Sequence, residues 1–264
     1  MHVLGVQLDI VWEDKAANHD KVHRLLSAAH PAPGTLVVLP EMFATGFTLN
    51  LTEAEDTGES VSRLAQEFQV HLLAGVVRRS GGPRSVVAAP PSGRDGARPS
   101  NGFRNEAVLF DPQGRETACY AKMHPFRFAG ESVVPGTDPV VVACGEFKLA
   151  PTVCYDLRFP ELYRACVRRG ATLFAVIANW PTPRLDHWLT LLKARAIENQ
   201  ACVIGVNRCG RDPNLEYPGR SQIISPRGEV LAEAGETEGI LRAELDLPTL
   251  QAYRQEFPAL QDMR

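Results

Sequence analysis

The sequence predicts an α/β protein built as a four-layer α-β-β-α sandwich. Three observations carry that expectation. Apolar strands alternate with helices that have one apolar face, the strands are apolar at nearly every position, and the second half of the chain repeats the order of the first. Strands that are apolar on both faces need cover on both sides, and two stacked sheets with helices outside provide it.

The elements come in order along the chain. A first buried strand is read at 3–8, and Val22, Leu25, Leu26 and Ala29 then fall at i, i+3, i+4 and i+7, one face of a helix. A strand at 35–39 comes next. Val61, Leu64, Ala65 and Phe68 mark a second helix and 72–77 a third strand, so the first half reads β-α-β-α-β. Residues 81–102 are rich in Gly, Pro, Ser and Arg and read as a surface loop of unusual length. The segments from Ala107 (Ala-Val-Leu-Phe-Asp-Pro-Gln-Gly-Arg-Glu) and from Gln222 (Gln-Ile-Ile-Ser-Pro-Arg-Gly-Glu-Val) each read as a hairpin about an x-Pro-x-Gly turn. Between them come a strand running into Cys154 and a helix over 160–169, with Pro160 suited to its first turn and Gly170 to its end. A strand at 171–178, a helix over about 185–199 and a strand at 201–206 complete the repeat.

Composition narrows the function. At 264 residues and 44% hydrophobic, the chain can bury one large core, and a single domain over 1–264 is expected. The 28 basic and 31 acidic residues are dispersed and leave a net charge of −3, so no nucleic-acid partner is expected. No window approaches the roughly 20 apolar residues of a membrane span, and the first residues lack a secretory pattern, which predicts a cytoplasmic protein with no membrane partner. The six cysteines form no C-x-x-C pair and read as separate thiols in a reducing compartment. His19 and His23 lie at i, i+4 on a helix, but no Glu follows His19, and they are read as surface residues rather than metal ligands. Neither a G-x-G-x-x-G nor a P-loop pattern occurs.

Three places join an apolar strand to a reactive side chain. In Leu36-Val-Val-Leu-Pro-Glu41-Met-Phe43 a carboxylate stands at the mouth of the core, where desolvation would raise its pKa toward general-base duty. In Cys119-Tyr-Ala-Lys122-Met-His-Pro-Phe126 an ammonium ends the first hairpin, placed to stabilise an anion. In Ala150-Pro-Thr-Val-Cys154-Tyr-Asp-Leu-Arg158-Phe-Pro160 a cysteine precedes a helix start, whose N–H dipoles would favour the thiolate. Each feature alone has a structural reading: a solvated acid, a snorkelling lysine and an inert core thiol.

Together these motifs closely resemble the three catalytic motifs of the nitrilase superfamily of carbon–nitrogen hydrolases, in order and in spacing. Ala178-Asn-Trp-Pro181, His187-Trp188, Ala194-Arg-Ala-Ile-Glu-Asn-Gln200, Gly205-Val-Asn-Arg208 and Tyr217-Pro-Gly-Arg-Ser221 extend the resemblance over almost the whole chain. It implies a Glu-Lys-Cys triad in the α-β-β-α fold. Glu41 would be the general base and acid, Cys154 the nucleophile, and Lys122 with the Tyr155 N–H the oxyanion holder. Glu131, in Phe126-Arg-Phe-Ala-Gly-Glu131-Ser, matches a second glutamate that would orient Lys122 or the substrate. No metal or organic cofactor is needed for such chemistry.

Within the superfamily, the Lys122 and Cys154 motifs look most like the ω-amidase branch, which implies 2-oxoglutaramate or 2-oxosuccinamate as substrate. Arg158 could clamp the remote carboxylate, or instead pair with Glu161. Phe43, Phe126, Trp180 and Trp188 are candidate pocket walls. N-carbamoyl amino acids, the amide of deaminated glutathione and a catalytically silent subunit on the same fold are the rival readings. The resemblance also implies a homodimer, joined through 160–169, 183–199 and the tail from Leu247.

Overall fold

The computed structural model describes residues 1–56, 58–80 and 102–263. In the first half β1 (His2–Gln7), α1 (Lys15–Ala29), β2 (Leu36–Val38), the short α2 (Leu51–Ala54), α3 (Glu59–Phe68) and β3 (His71–Arg79) precede a hairpin of β4 (Phe103–Phe110) and β5 (Glu116–Ala121). The second half opens with β6 (Val142–Cys144) and β7 (Phe147–Val153), then α4 (Pro160–Arg168), β8 (Leu173–Ala178), α5 (Leu185–Asn199) and β9 (Cys202–Asn207). The two-stranded ribbon β10 (Cys209–Arg211) and β11 (Glu216–Pro218) leads to β12 (Gln222–Ile224) and β13 (Val230–Glu233). Last come β14 (Gly239–Glu244) and α6 (Leu247–Glu256).

The larger sheets have the orders β14-β1-β2-β3-β4-β5 and β13-β12-β9-β8-β7-β6. Each holds three parallel strands, an antiparallel strand on one edge and two antiparallel strands on the other. The repeat read in the sequence is therefore a repeat of topology. The strand β14 is the exception in order, since the last strand of the chain closes the first sheet beside β1.

Side-chain alternation sorts the first sheet into two faces. Val3, Leu36, Val38, Leu73, Ala107 and Leu109 join a core with β7, β8 and β9, while Leu4, Val37, Leu72, Val108 and Phe110 pack under Val22, Leu26, Val61 and Leu64 of α1 and α3. On the far side of the second sheet, α4 and α5 contribute Leu162, Tyr163, Trp188 and Leu192. The result is the expected four-layer sandwich. Gly5 marks how closely the sheets approach, because a Cβ there would lie 3.0 Å from the side chain of Val206 on β9 of the other sheet.

Local signals set the helix ends. Asp14 caps α1 by accepting from the Ala17 N–H at 3.0 Å. Pro160 opens α4, and Gly170 stands just past its end at φ 89°. The expected loop 81–102 lies outside the described residues apart from Gly102. Among the described residues, no helix is long and apolar enough to cross a membrane.

Candidate active site

Glu41 follows β2, Lys122 follows β5, Cys154 follows β7 and Asn179 follows β8. Because β2 and β5 run the same way, and β7 and β8 run parallel to each other, the four positions meet where the two sheets face each other at one edge. Glu41 and Lys122 are wholly buried, and Glu131 is 3% and Cys154 7% exposed.

Lys122 Nζ donates to Glu41 Oε1 at 2.9 Å and to Glu131 Oε2 at 2.9 Å and Oε1 at 3.2 Å. Asn105 on β4 bridges the two acids from behind, its Nδ2 donating to Glu41 Oε1 at 2.8 Å and Glu131 Oε1 at 2.9 Å. The other Glu41 oxygen, Oε2, accepts the Asn179 backbone N–H at 2.9 Å, and Asn179 Nδ2 donates to the Glu41 carbonyl at 2.7 Å. Two carboxylates and one ammonium leave this cluster one negative charge in excess.

The electrostatics correct two expectations. Burial alone would raise the Glu41 pKa, but the Lys122 charge and the hydrogen bonds from Lys122, Asn179 and Asn105 outweigh it, and the carboxyl is held below its ordinary value. The sequence leads one to expect a Cys154 thiol acidified by a helix start. It is instead pushed well above its ordinary value, by burial first and by the Glu41 carboxylate second, against the opposing Lys122 charge. Cys154 opens a five-residue 3-10 turn, Cys154–Arg158, and the helix α4 begins only at Pro160. The directions of both shifts describe a neutral thiol resting close to an ionised glutamate. Lys122 is held protonated well beyond its usual range: burial opposes its charge, and Glu41 and Glu131 more than restore it.

Backbone shape aims these groups. Cys154 has φ 48° and Met42, next to Glu41, has φ 44°, a left-handed conformation that costs a non-glycine residue on the order of 1 kcal/mol or more. The turn at Cys154 lifts the thiol off the strand end toward the Asn179 carbonyl, 3.9 Å away. The turn at Met42 is seated on Gly75 of β3, where a Cβ would come within 2.5 Å of the Glu41 Cα and 2.6 Å of the Met42 N. Asp156, wholly buried, ties the loop after β5 to the turn after β7. It accepts from Tyr120 OH at 2.8 Å, from the Val153 N–H at 3.0 Å and from the His124 N–H at 3.0 Å, and meets His124 Nδ1 at 2.8 Å. As an early residue of the 3-10 turn, Tyr155 has no partner for its N–H within that turn.

Above the thiol lies a cavity of about 310 Å³ lined by Phe126, Phe128, Tyr155, Arg158, Trp180 and Arg184, among others. Arg158 lies over the Trp180 ring at 4.9 Å and donates to His187 Nδ1 at 3.1 Å, and among the described residues it has no carboxylate partner, Glu161 included. Phe126 and Trp180 line the cavity as expected; Phe43 and Trp188 do not. The left-handed turn at Met42 sends Phe43 into the outer core, where its ring meets His19 edge-on at 5.0 Å. Trp188 is buried behind Trp180 and donates to the Arg220 carbonyl at 2.9 Å. His19 and His23 turn to different acids, Asp56 at 3.4 Å and Glu67 at 2.7 Å.

Sequence reasoning missed Asn105, Asn179, Asp156 and Arg184. Asn179 and Asp156 sit inside recognisable motifs and could have been flagged by proximity to Trp180 and Cys154. Asn105 lies on a strand with no distinguishing pattern.

The chain as a whole has relatives among known proteins. Residues 5–255 match the carbon-nitrogen hydrolase family. An omega-amidase, YafV, of Yersinia enterocolitica is 40% identical over 261 residues, covering 97% of this chain and 94% of that protein. A 2-oxoglutaramate amidase of Bacillus subtilis is 34% identical over 267 residues, covering 98% and 96%. A solved structure from Xanthomonas campestris, a CN-hydrolase superfamily protein with an arsenic adduct in its active site, superposes with a TM-score of 0.88 at 31% identity, covering 100% of this chain and 97% of that one. With the matched family spanning nearly all of it, this chain belongs to the carbon-nitrogen hydrolases and is a hydrolase of non-peptide C–N bonds.

Proposed function

We propose that this protein is a single-domain, cysteine-dependent amidase of the ω-amidase type, releasing ammonia from 2-oxoglutaramate and related 2-oxo-acid amides. The observation that carries it is the buried Glu41–Lys122–Glu131 cluster with Cys154 in its reach, beneath a cavity walled by Arg158. The similarity to proteins named omega-amidase and 2-oxoglutaramate amidase supports the substrate.

In this reading Glu41 takes the thiol proton as Cys154 Sγ attacks the amide carbon. Lys122 Nζ and the Tyr155 N–H receive the developing oxyanion. The tetrahedral centre collapses as Glu41 returns the proton to nitrogen, so that ammonia leaves and a thioester remains. Water, deprotonated by Glu41, then attacks the thioester, and the acid departs as the thiol regains its proton. Glu131 holds Lys122 in place from the opposite side. Arg158 pairs with the carboxylate remote from the amide.

The test is a substrate panel read by ammonia release: 2-oxoglutaramate, 2-oxosuccinamate, N-carbamoyl amino acids and the deaminated glutathione amide. The 2-oxo-amides are expected to lead in kcat/KM by about tenfold or more, a margin of about 1.4 kcal/mol. No turnover of either 2-oxo-amide would remove the assignment.

The same reading makes the protein a cytoplasmic homodimer paired through α4, α5 and the segment from Leu247. All six cysteines are free thiols, in keeping with a reducing compartment. Ile197, Val230, Leu231 and Phe257 expose apolar side chains; Ile197 packs beside Gly228, and Gln200 Nε2 donates to the Phe257 carbonyl at 2.7 Å. Light scattering at micromolar concentration is expected to give twice the chain mass of 28.9 kDa, and a mass of one chain would refute the pairing.

A further inference from the structure

We infer that Arg184 is a second specificity-determining arginine, and that with Arg158 it forms a two-guanidinium clamp for the anionic end of the substrate. The inference deepens the amidase reading and rests on it for the reaction, but its own basis is the charge and shape of the cavity.

Both arginines line the cavity and both are half-buried. Arg184 lies with its guanidinium over the Phe126 ring at 5.5 Å, while Arg158 lies over the Trp180 ring at 4.9 Å. Their positions are linked, because Trp180 Nε1 donates to the Arg184 carbonyl at 2.7 Å. The indole that one guanidinium covers therefore anchors the backbone of the other. The short turn Thr182–Arg184 is further held by Thr182 Oγ1, which donates to the Glu216 carbonyl at 3.0 Å. Among the described residues neither guanidinium meets a carboxylate, and that of Arg184 meets no hydrogen-bond acceptor at all.

That distribution of charge is polar along the cavity. Behind the Cys154 and Asn179 that line it lies the buried Glu41–Lys122–Glu131 cluster with one net negative charge, and its walls carry two positive charges that no carboxylate among the described residues offsets. A half-buried guanidinium stacked on an aromatic ring gains from the ring, but its planar donor set stays largely unused until an anion arrives. The missing countercharge belongs to the ligand. A neutral amide would bring no charge to either guanidinium. A 2-oxo acid offers two carboxylate oxygens and an adjacent ketone oxygen, enough acceptors for two arginine forks. The cavity, about 310 Å³, is at the small end of the roughly 300–1,000 Å³ of ligand pockets and suits a metabolite of that size.

The decisive quantity is selectivity. For wild type, Arg184→Gln and Arg184→Lys, kcat and KM are measured for 2-oxoglutaramate, for succinamate and for butyramide, which has no charge. In Arg184→Gln the ratio of kcat/KM for the anionic amides over the neutral one is expected to fall about 10–100-fold, mainly through KM. The lysine variant, which keeps the charge without the fork, should fall between the two. A ratio within twofold of wild type in both variants overturns the clamp, and so does an equal loss on all three amides, which would mark a purely structural role. If 2-oxoglutaramate is not hydrolysed but the succinamate-to-butyramide ratio still collapses, the clamp stands and the ω-amidase assignment falls. If no amide is turned over, calorimetric binding of 2-oxoglutarate decides. A Kd at least tenfold weaker in Arg184→Gln supports the clamp, and an unchanged Kd or absence of binding to wild type refutes it.

Discussion

Cys154→Ala is expected to lower ammonia release by on the order of 10⁴-fold or more, since without the sulfur there is no thioester route and the remaining groups cannot replace it. The fold should survive. The substitution removes one small buried atom in a site already shaped by its neighbours, at a cost of about 1–2 kcal/mol and a shift of only a few degrees in Tm. The pH profile of the wild type separates base-activated attack from attack by a preformed thiolate. The Cys154 pKa is pushed up and that of Glu41 held down, so kcat/KM should be level from about pH 6 to pH 8 and fall on the acid side only as Glu41 takes up a proton. A rise following a thiol pKa near about 8.5 would show instead that the thiolate forms on its own. Residual activity above a few per cent in Cys154→Ala would refute the nucleophile.

Lys122→Met should abolish activity and also weaken the fold. The ammonium is the cation that Glu41 and Glu131 share in a wholly buried site. Breaking such a cluster on one side costs about 3–5 kcal/mol, because buried charge is left uncompensated. Loss of Lys122 as the proposed oxyanion donor is by itself worth about 10²–10³ in kcat. The sign of the pH dependence should change as well. In the wild type the depressed Glu41 pKa contributes stability above the ordinary carboxylate range, and this is lost as pH falls through the folded value. In Lys122→Met the two acids face each other without a cation, at least one pKa rises, and the variant becomes more stable on acidification through that range. Urea unfolding at about pH 5 and pH 8 reads this directly. A variant equally stable at both, with wild-type turnover, would contradict the arrangement.

Much of the fold was legible because fully buried parallel strands are apolar at every position and their helices carry one apolar stripe. The strands β3, β8 and β9 and the helices α1, α3, α4 and α5 announce themselves that way, and the short β2 does so through the apolar residues that flank it. Short or half-exposed pieces do not. The strand β14 is interrupted by Arg242 on a solvent face and finds its place only by pairing with β1 at the opposite end of the chain. The strands β6, β10 and β11 span three residues each, too few for a period to show.

The site divides along similar lines. Glu41, Lys122 and Cys154 were visible because each ends an apolar strand within a distinctive motif. Phe43 was misplaced because a sequence does not state φ, and one left-handed residue at Met42 turns the ring to the opposite side of its sheet. The protonation pattern was misread for a related reason. A pKa depends on all charges and donors around a group, and the Asn105, Asn179 and Lys122 contacts that hold Glu41 ionised come from β4 and from the residues just past β8 and β5.

By itself the sequence determined the layer order, the strand ends that gather in the candidate site and the class of reaction, because local periodicity and short motifs encode those. Only the tertiary structure decided that the thiol rests neutral beside an ionised glutamate, that Phe43 lies away from the cavity, and that Arg184 stands with Arg158 on its wall. The reason is physical: burial, charge coupling and the meeting of side chains far apart in the chain are properties of the packed core, and come into being only when the two sheets close on each other.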